Sequence, residues 1–116
     1  MIHFYQYSKC GTCRKAKKFL DEHGVAYKNI DITQTPPSKT ILKKALAVYG
    51  IKKLFNTSGM EYRKKGIKGK IGSMIEAQAL EMLSGNGRLI KRPIVVDGIK
   101  VTVGFNEDEF RSIWSG

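Results

Sequence analysis

"YSKCGTCRKAKK" (Tyr7–Lys18) sets two cysteines three residues apart, between an aromatic, β-prone opening and a run of bases. Upstream, "IHFYQY" (2–7) reads as a strand; downstream, from Gly11 to about Glu22, Ala16, Phe19 and Leu20 fall at helical spacing. Cys10 then stands at the mouth of a helix and Cys13 one turn inside it. Unpaired backbone N–H groups and the positive end of the helix dipole face the Cys10 sulfur. Lys9, Arg14 and Lys15 add positive charge, and no acid precedes Asp21. All of these favour a thiolate, so Cys10 reads as a nucleophile of lowered pKa. Cys13, better sheltered, is placed to resolve a mixed disulfide by closing an internal one. Two other readings stay open, a buried inert pair and half of a metal site. The metal reading needs four ligands, and the further candidates are His3, expected on the first strand, and His23, expected at a helix end. Neither is read as a ligand or a base, and no metal is expected.

Working outward, Gly24 closes the first helix, and "VAYKNIDI" (25–32) reads as a second strand. Thr35, Pro36, Pro37 and Ser38 break the chain and cap a helix carrying Ile41, Leu42, Ala45, Leu46 and Val48 toward Gly50. From Ile51 to Gly72, glycines and lysines obscure any period, and the expectation is one short helix at about 51–55 followed by a mobile basic stretch. Ser73 and Glu76 have the capping-box pattern ahead of Ile75, Ala79, Leu80 and Leu83, and "SGNG" (84–87) ends that helix. "PIVVDGIKVTV" (93–103) gives two strands joined at Asp97 and Gly98 as a hairpin. Asn106 and Glu109 repeat the capping box before Phe110, Ile113 and Trp114. The order β-α-β, helices, β-hairpin, helix predicts an α/β fold with a mixed sheet and helices on both faces.

At 116 residues the chain fits one domain with its own core. No apolar run approaches the twenty residues of a membrane span, and the opening lacks a signal-peptide pattern, so a cytoplasmic, membrane-free monomer is expected. In a reducing compartment two close cysteines point to catalysis, redox sensing or metal binding rather than a disulfide framework. Twenty-one bases against ten acids give a formal charge of +11. Residues 39–70 hold ten of those bases with Glu61 alone opposing them. Such a field draws polyanions, while the plainer reading is a solvated lysine-rich face. No zinc finger, aromatic RNA-binding signature or basic zipper accompanies it, so direct sequence-specific nucleic-acid binding is not expected.

"KRPIVV" (91–96) heads the third strand with a proline, an ordinary strand-start position. In a fold with CxxC at a helix start, a proline there often lies opposite the sulfurs, in cis. Arg92 before it could hold an anion or stabilise a thiolate by a charge-assisted hydrogen bond; its plainer role is a solvated strand-edge charge.

Four stretches, "YSKCGTCRKAKKFLDEHG", "TPPSKTILKKAL", "RLIKRPIVVDGIKVTVGF" and "NEDEF", together resemble the arsenate reductase and Spx family in nearly full length and in order. The resemblance implies a thioredoxin/glutaredoxin-like core at about 1–34 and 88–116 with a helical insertion at about 35–87. It implies a thiol–disulfide oxidoreductase with Cys10 as the redox-active cysteine, Arg92 beside its thiolate and Pro93 as the cis-proline. Gly11, Thr12 and Arg14 fall inside the matching motif as supporting residues. No bound cofactor is implied; glutaredoxin, thioredoxin or a low-molecular-weight thiol would supply electrons, through a thiol/disulfide redox partner. Glutaredoxin-dependent arsenate reductases resemble "CGTS" at the site and surround the anion with three arginines. Here the positions beside Arg92 hold Asn56 and Gly104. Each hydrogen bond to a charged group is worth roughly 1.5–3 kcal/mol, so the loss argues against efficient arsenate reduction. Lysines around 63–70 are the alternative cations, without the bidentate fork of arginine. The Spx branch, with CxxC followed by "RKA", implies instead a redox-sensing regulator that binds the C-terminal domain of the RNA polymerase α-subunit through a surface including Gly50. As a helix C-cap, Gly50 also has a plain structural reading.

Overall fold

Four strands, β1 (Ile2–Gln6), β2 (Tyr27–Asp31), β3 (Ile94–Asp97) and β4 (Lys100–Val103), form one sheet in the order β2-β1-β3-β4, in a computed structural model that describes residues 1–115. β2 runs parallel to β1, whereas β3 is antiparallel to β1 and to β4. A parallel neighbour requires a crossover, and α1 (Gly11–Glu22) supplies it. Side chains alternate across β1, so Phe4 and Tyr5 enter different cores. Phe4 and Val95 pack with Ala16, Phe19 and Leu20 of α1 and with Phe110 and Trp114 of α6 (Glu107–Trp114). On the opposite face, Tyr5, Ile94, Val96, Val101 and Val103 meet α2 (Lys39–Tyr49) and the segments that follow it. Thr102 is the buried polar side chain of this sheet, and its hydroxyl accepts a 3.0 Å hydrogen bond from Trp114 Nε1.

Local chemistry explains most element boundaries. Ser38 Oγ accepts from Ile41 N at 3.3 Å and starts α2, and Asn106 Oδ1 accepts from Glu109 N at 3.0 Å and starts α6. The Glu109 carboxylate accepts from the Tyr49 hydroxyl at 3.0 Å, tying α6 to the end of α2.

Four expectations need correction. The second strand is Tyr27–Asp31, shorter than 25–32, because Val25 already packs beside α1 and α6. The hairpin turn is Gly98–Ile99 rather than Asp97–Gly98: Asp97 pairs with Lys100 in the ladder, and Gly98 takes the positive φ of 62°. The fifth helix, α5 (Glu76–Gly85), is not capped by Ser73, which lies in a one-turn 3₁₀ segment; Gln78 Oε1 instead accepts from Ile75 N at 3.0 Å. Finally, residues 51–72 are structured throughout as α3 (Ile51–Leu54), α4 (Met60–Lys64) and two 3₁₀ turns. All but the last of these pieces drive large apolar side chains inward, Leu54 and Phe55, then Tyr62, then Ile67.

Candidate active site

The site is built where β1 gives way to α1. Cys10 N donates to Tyr7 O at 3.0 Å, closing a turn that delivers Cys10 to the helix mouth in an extended conformation (φ −95°, ψ 120°). Cys10 is the N-cap residue, partly exposed, and Cys13 one turn later is fully enclosed. Both are free thiols. Tyr7 N donates to Cys13 Sγ at 3.5 Å, within sulfur hydrogen-bond range.

The two sulfurs lie close enough to set each other's ionisation, and they move in opposite directions. Partial burial works against the Cys10 thiolate, but the Cys13 N–H, the Cys13 thiol and the Arg92 guanidinium outweigh it, and the Cys10 pKa falls below its ordinary value. The largest of these favourable contributions is the Cys13 N–H, in the first turn of the helix. Burial pushes the Cys13 thiol up to about 12, and negative charge on Cys10 pushes the same way.

A second wall comes from the helical insertion. Phe55 bridges Ile90 in antiparallel fashion, Asn56 N donates to Leu89 O and Lys91 N donates to Leu54 O, each at 2.7 Å. Asn56 and Arg92 then line the same pocket. Gly59 packs against the Asn56 side chain, and a Cβ on it would stand 2.6 Å from Asn56 Nδ2 and displace that amide. The result is an open, mainly polar pocket of about 340 Å³ lined by Cys10, Thr12, Asn56, Ser58, Gly59, Met60, Lys91 and Arg92. Among the described residues it holds two cations and no carboxylate. A larger pocket of about 660 Å³ between Lys70 and Met82 contains no cysteine.

The structure thus brings Cys10, Cys13, Arg92 and Thr12 together, with Asn56 alongside. The Arg92–Pro93 peptide is cis, and Pro93 is buried. Gly11 is the first helical residue and is exposed. Arg14 is turned away from the pocket, its Nη1 donating to Ser8 O at 3.1 Å. Gly104 borders a neighbouring pocket with Thr12 and Lys91. The lysines of 63–70 do not line the Cys10 pocket; the second cation there is Lys91. Gly50 joins α2 to α3 outside the site, at φ 84° and ψ 168°, a backbone region open essentially to glycine alone. His23 Nδ1 lies 2.8 Å from Phe19 O with its ring stacked on Phe19, and His3 lies on β1, so neither reaches the sulfurs. Sequence reasoning missed Ser58, Met60 and Lys91, which come from short turns without periodicity, and Tyr7, whose signal was an aromatic residue just past the strand.

Comparison with known proteins identifies the family. The ArsC family model matches residues 5–113. YusI of Bacillus subtilis is 54% identical over 114 residues, covering 97% of each chain. The global transcriptional regulator Spx of Listeria innocua is 32% identical over 113 residues, 96% of this chain and 85% of that one. The crystal structure of an ArsC family related protein from Bacteroides fragilis matches with a TM-score of 0.90 at 38% identity, covering 97% of this chain and 96% of the other. The mixed sheet with helices on both faces is thioredoxin/glutaredoxin-like. On the span of that family match and the near full-length likeness to these relatives, the chain belongs to the ArsC family.

Proposed function

We propose that the protein is a thiol–disulfide oxidoreductase in which Cys10 attacks, Cys13 resolves and Arg92 stabilises the Cys10 thiolate. One observation carries this reading: two neighbouring sulfurs, one open to solvent with a lowered pKa and one enclosed with a pKa raised to about 12. The Cys10 thiolate attacks one sulfur of a substrate disulfide. The substrate S–S bond breaks, a Cys10–substrate S–S bond forms, and the other substrate sulfur leaves as a thiolate that takes a proton from water. In the mixed disulfide Cys10 no longer carries charge, which removes one of the contributions that held Cys13 protonated. Cys13 releases its proton to solvent and attacks Cys10 Sγ, expelling the second substrate sulfur. Two electrons have passed, the substrate is a dithiol and the protein holds a Cys10–Cys13 disulfide. An external thiol, whether glutaredoxin, thioredoxin or a low-molecular-weight thiol, returns the pair to the reduced state in a cytoplasmic setting. Arsenate reduction is left out of the reading, because Arg92 is the one arginine among the described residues lining the pocket.

The test is trapping. Cys13→Ser should accumulate a mixed disulfide on Cys10, Cys10→Ser should lose reaction, and oxidised wild type should lose two free thiols while remaining monomeric. Reaction retained by Cys10→Ser, or no adduct on Cys13→Ser, overturns the reading.

Similarity to Spx over 96% of this chain favours a second reading, a redox-sensing regulator that binds the C-terminal domain of the RNA polymerase α-subunit. Gly50 would belong to that surface, yet its backbone conformation alone explains a glycine there. The clean test is therefore co-purification of wild type with that polymerase domain at low salt in both redox states, with Lys52→Glu and Lys53→Glu as exposed neighbours. Failure in both states removes this reading.

A further inference from the structure

Tyr7 touches every working part of the site. Its carbonyl accepts from Cys10 N at 3.0 Å and its N–H donates to Cys13 Sγ at 3.5 Å. Its ring has the Arg92 guanidinium at 5.0 Å from the centroid, and the Arg88 guanidinium at 5.8 Å. Arg92 takes part in none of the ion pairs among the described residues, so no carboxylate fixes it. A long, unpaired guanidinium at the rim of an open pocket has many rotamers available, and a flat π face restrains it electrostatically. From these contacts we infer that Tyr7 is a positioning residue, whose ring holds the Arg92 guanidinium beside the Cys10 sulfur and whose backbone orients both cysteines. Arg88 shares the Tyr7 ring from farther out. It follows Asn86, whose side chain accepts from Arg88 N at 3.0 Å, and it faces the Asp31 carboxylate.

The inference rests on the thiol-exchange reading, and it divides the labour at Tyr7. Backbone contacts survive any substitution, whereas the cation–π contact depends on the ring and not on the hydroxyl. Tyr7→Phe therefore retains the restraint and Tyr7→Leu removes it.

The experiment is the pH dependence of Cys10 alkylation in wild type, Tyr7→Phe, Tyr7→Leu, Arg92→Leu and the Tyr7→Leu/Arg92→Leu double variant, with circular dichroism as a check on folding. The expected result is an upward shift of the midpoint by about 1 pH unit in Tyr7→Leu. Tyr7→Phe should stay at the wild-type position, and adding Tyr7→Leu to Arg92→Leu should give no further shift. A Tyr7→Leu midpoint equal to wild type, or an equal shift with and without Arg92, overturns the inference and leaves the thiol-exchange reading standing. A wild-type midpoint at the ordinary thiol value overturns both. Should Tyr7→Leu not fold, the wild-type protein still decides the matter. The Arg92 Nε–H resonance should show an upfield ring-current displacement, and its absence overturns the placement.

Discussion

Cys13 lies one helical turn behind Cys10, enclosed where Cys10 is open, and takes a 3.5 Å hydrogen bond from Tyr7 N while its own N–H is directed at the Cys10 sulfur. One short piece of backbone thereby treats the two sulfurs oppositely. At neutral pH an alkylating reagent should modify Cys10 and leave Cys13 intact, with a rate midpoint below the usual thiol value of about 8.5. Peptide mapping by mass spectrometry after limited iodoacetamide treatment checks the site. Arg92→Leu should move the midpoint upward.

Alkaline stability should report on Cys13. Its folded pKa is raised from 9.0 to about 12, so the unfolded chain releases this proton first as pH rises. The associated stability is complete below pH 9 and declines toward pH 12, at about 1.4 kcal/mol per pH unit for one such group. Tyr49, also raised to about 12 by burial and by Glu109, is partly exposed and adds a smaller, solvent-screened decline above pH 10. Urea titrations of the reduced protein between pH 8 and 11 should show the loss, and Cys13→Ala should flatten its first part.

Gly87 is fixed by crowding. A Cβ there would stand 1.8 Å from Ile32 O and 2.8 Å from Ile32 C, backbone atoms that cannot rotate away. Gly87→Ala should destabilise by about 3 kcal/mol or more, measured by chemical denaturation.

Thr102→Val keeps the shape of the side chain and removes the acceptor for Trp114 Nε1. A buried indole N–H is left without a partner, at a cost of about 1–3 kcal/mol. Thermal melting, with tryptophan fluorescence as the local probe, should register both the loss and the changed surroundings.

What the sequence revealed followed the length of each signal. α1 was legible because Ala16, Phe19 and Leu20 fall at helical spacing, and the caps at Ser38 and Asn106 act locally, so residue type alone identified them. Ser73 misled for a related reason: a serine can start a helix, but a 3₁₀ turn consumed it and Gln78 did the capping from the other side. Residues 51–72 were opaque because their apolar anchors, Leu54, Tyr62 and Ile67, each sit on a separate one-turn element. No single period connects them. At the site, Cys10 and Cys13 could be read from neighbouring residues, whereas Asn56, Met60 and Lys91 join the Cys10 pocket only through the Phe55–Ile90 pairing. Such long-range pairing leaves no mark in local composition.

That pairing also separates reactivity from selectivity. The sulfur, its guanidinium and the aromatic platform belong to the sheet-and-crossover part of the chain, while Asn56 to Met60 form a short hem stitched on by the two backbone hydrogen bonds of the Phe55–Ile90 bridge. Descendants of this gene could redraw that hem, admitting bulkier, greasier or more acidic guests, while the helix mouth that carries the two cysteines keeps its own backbone.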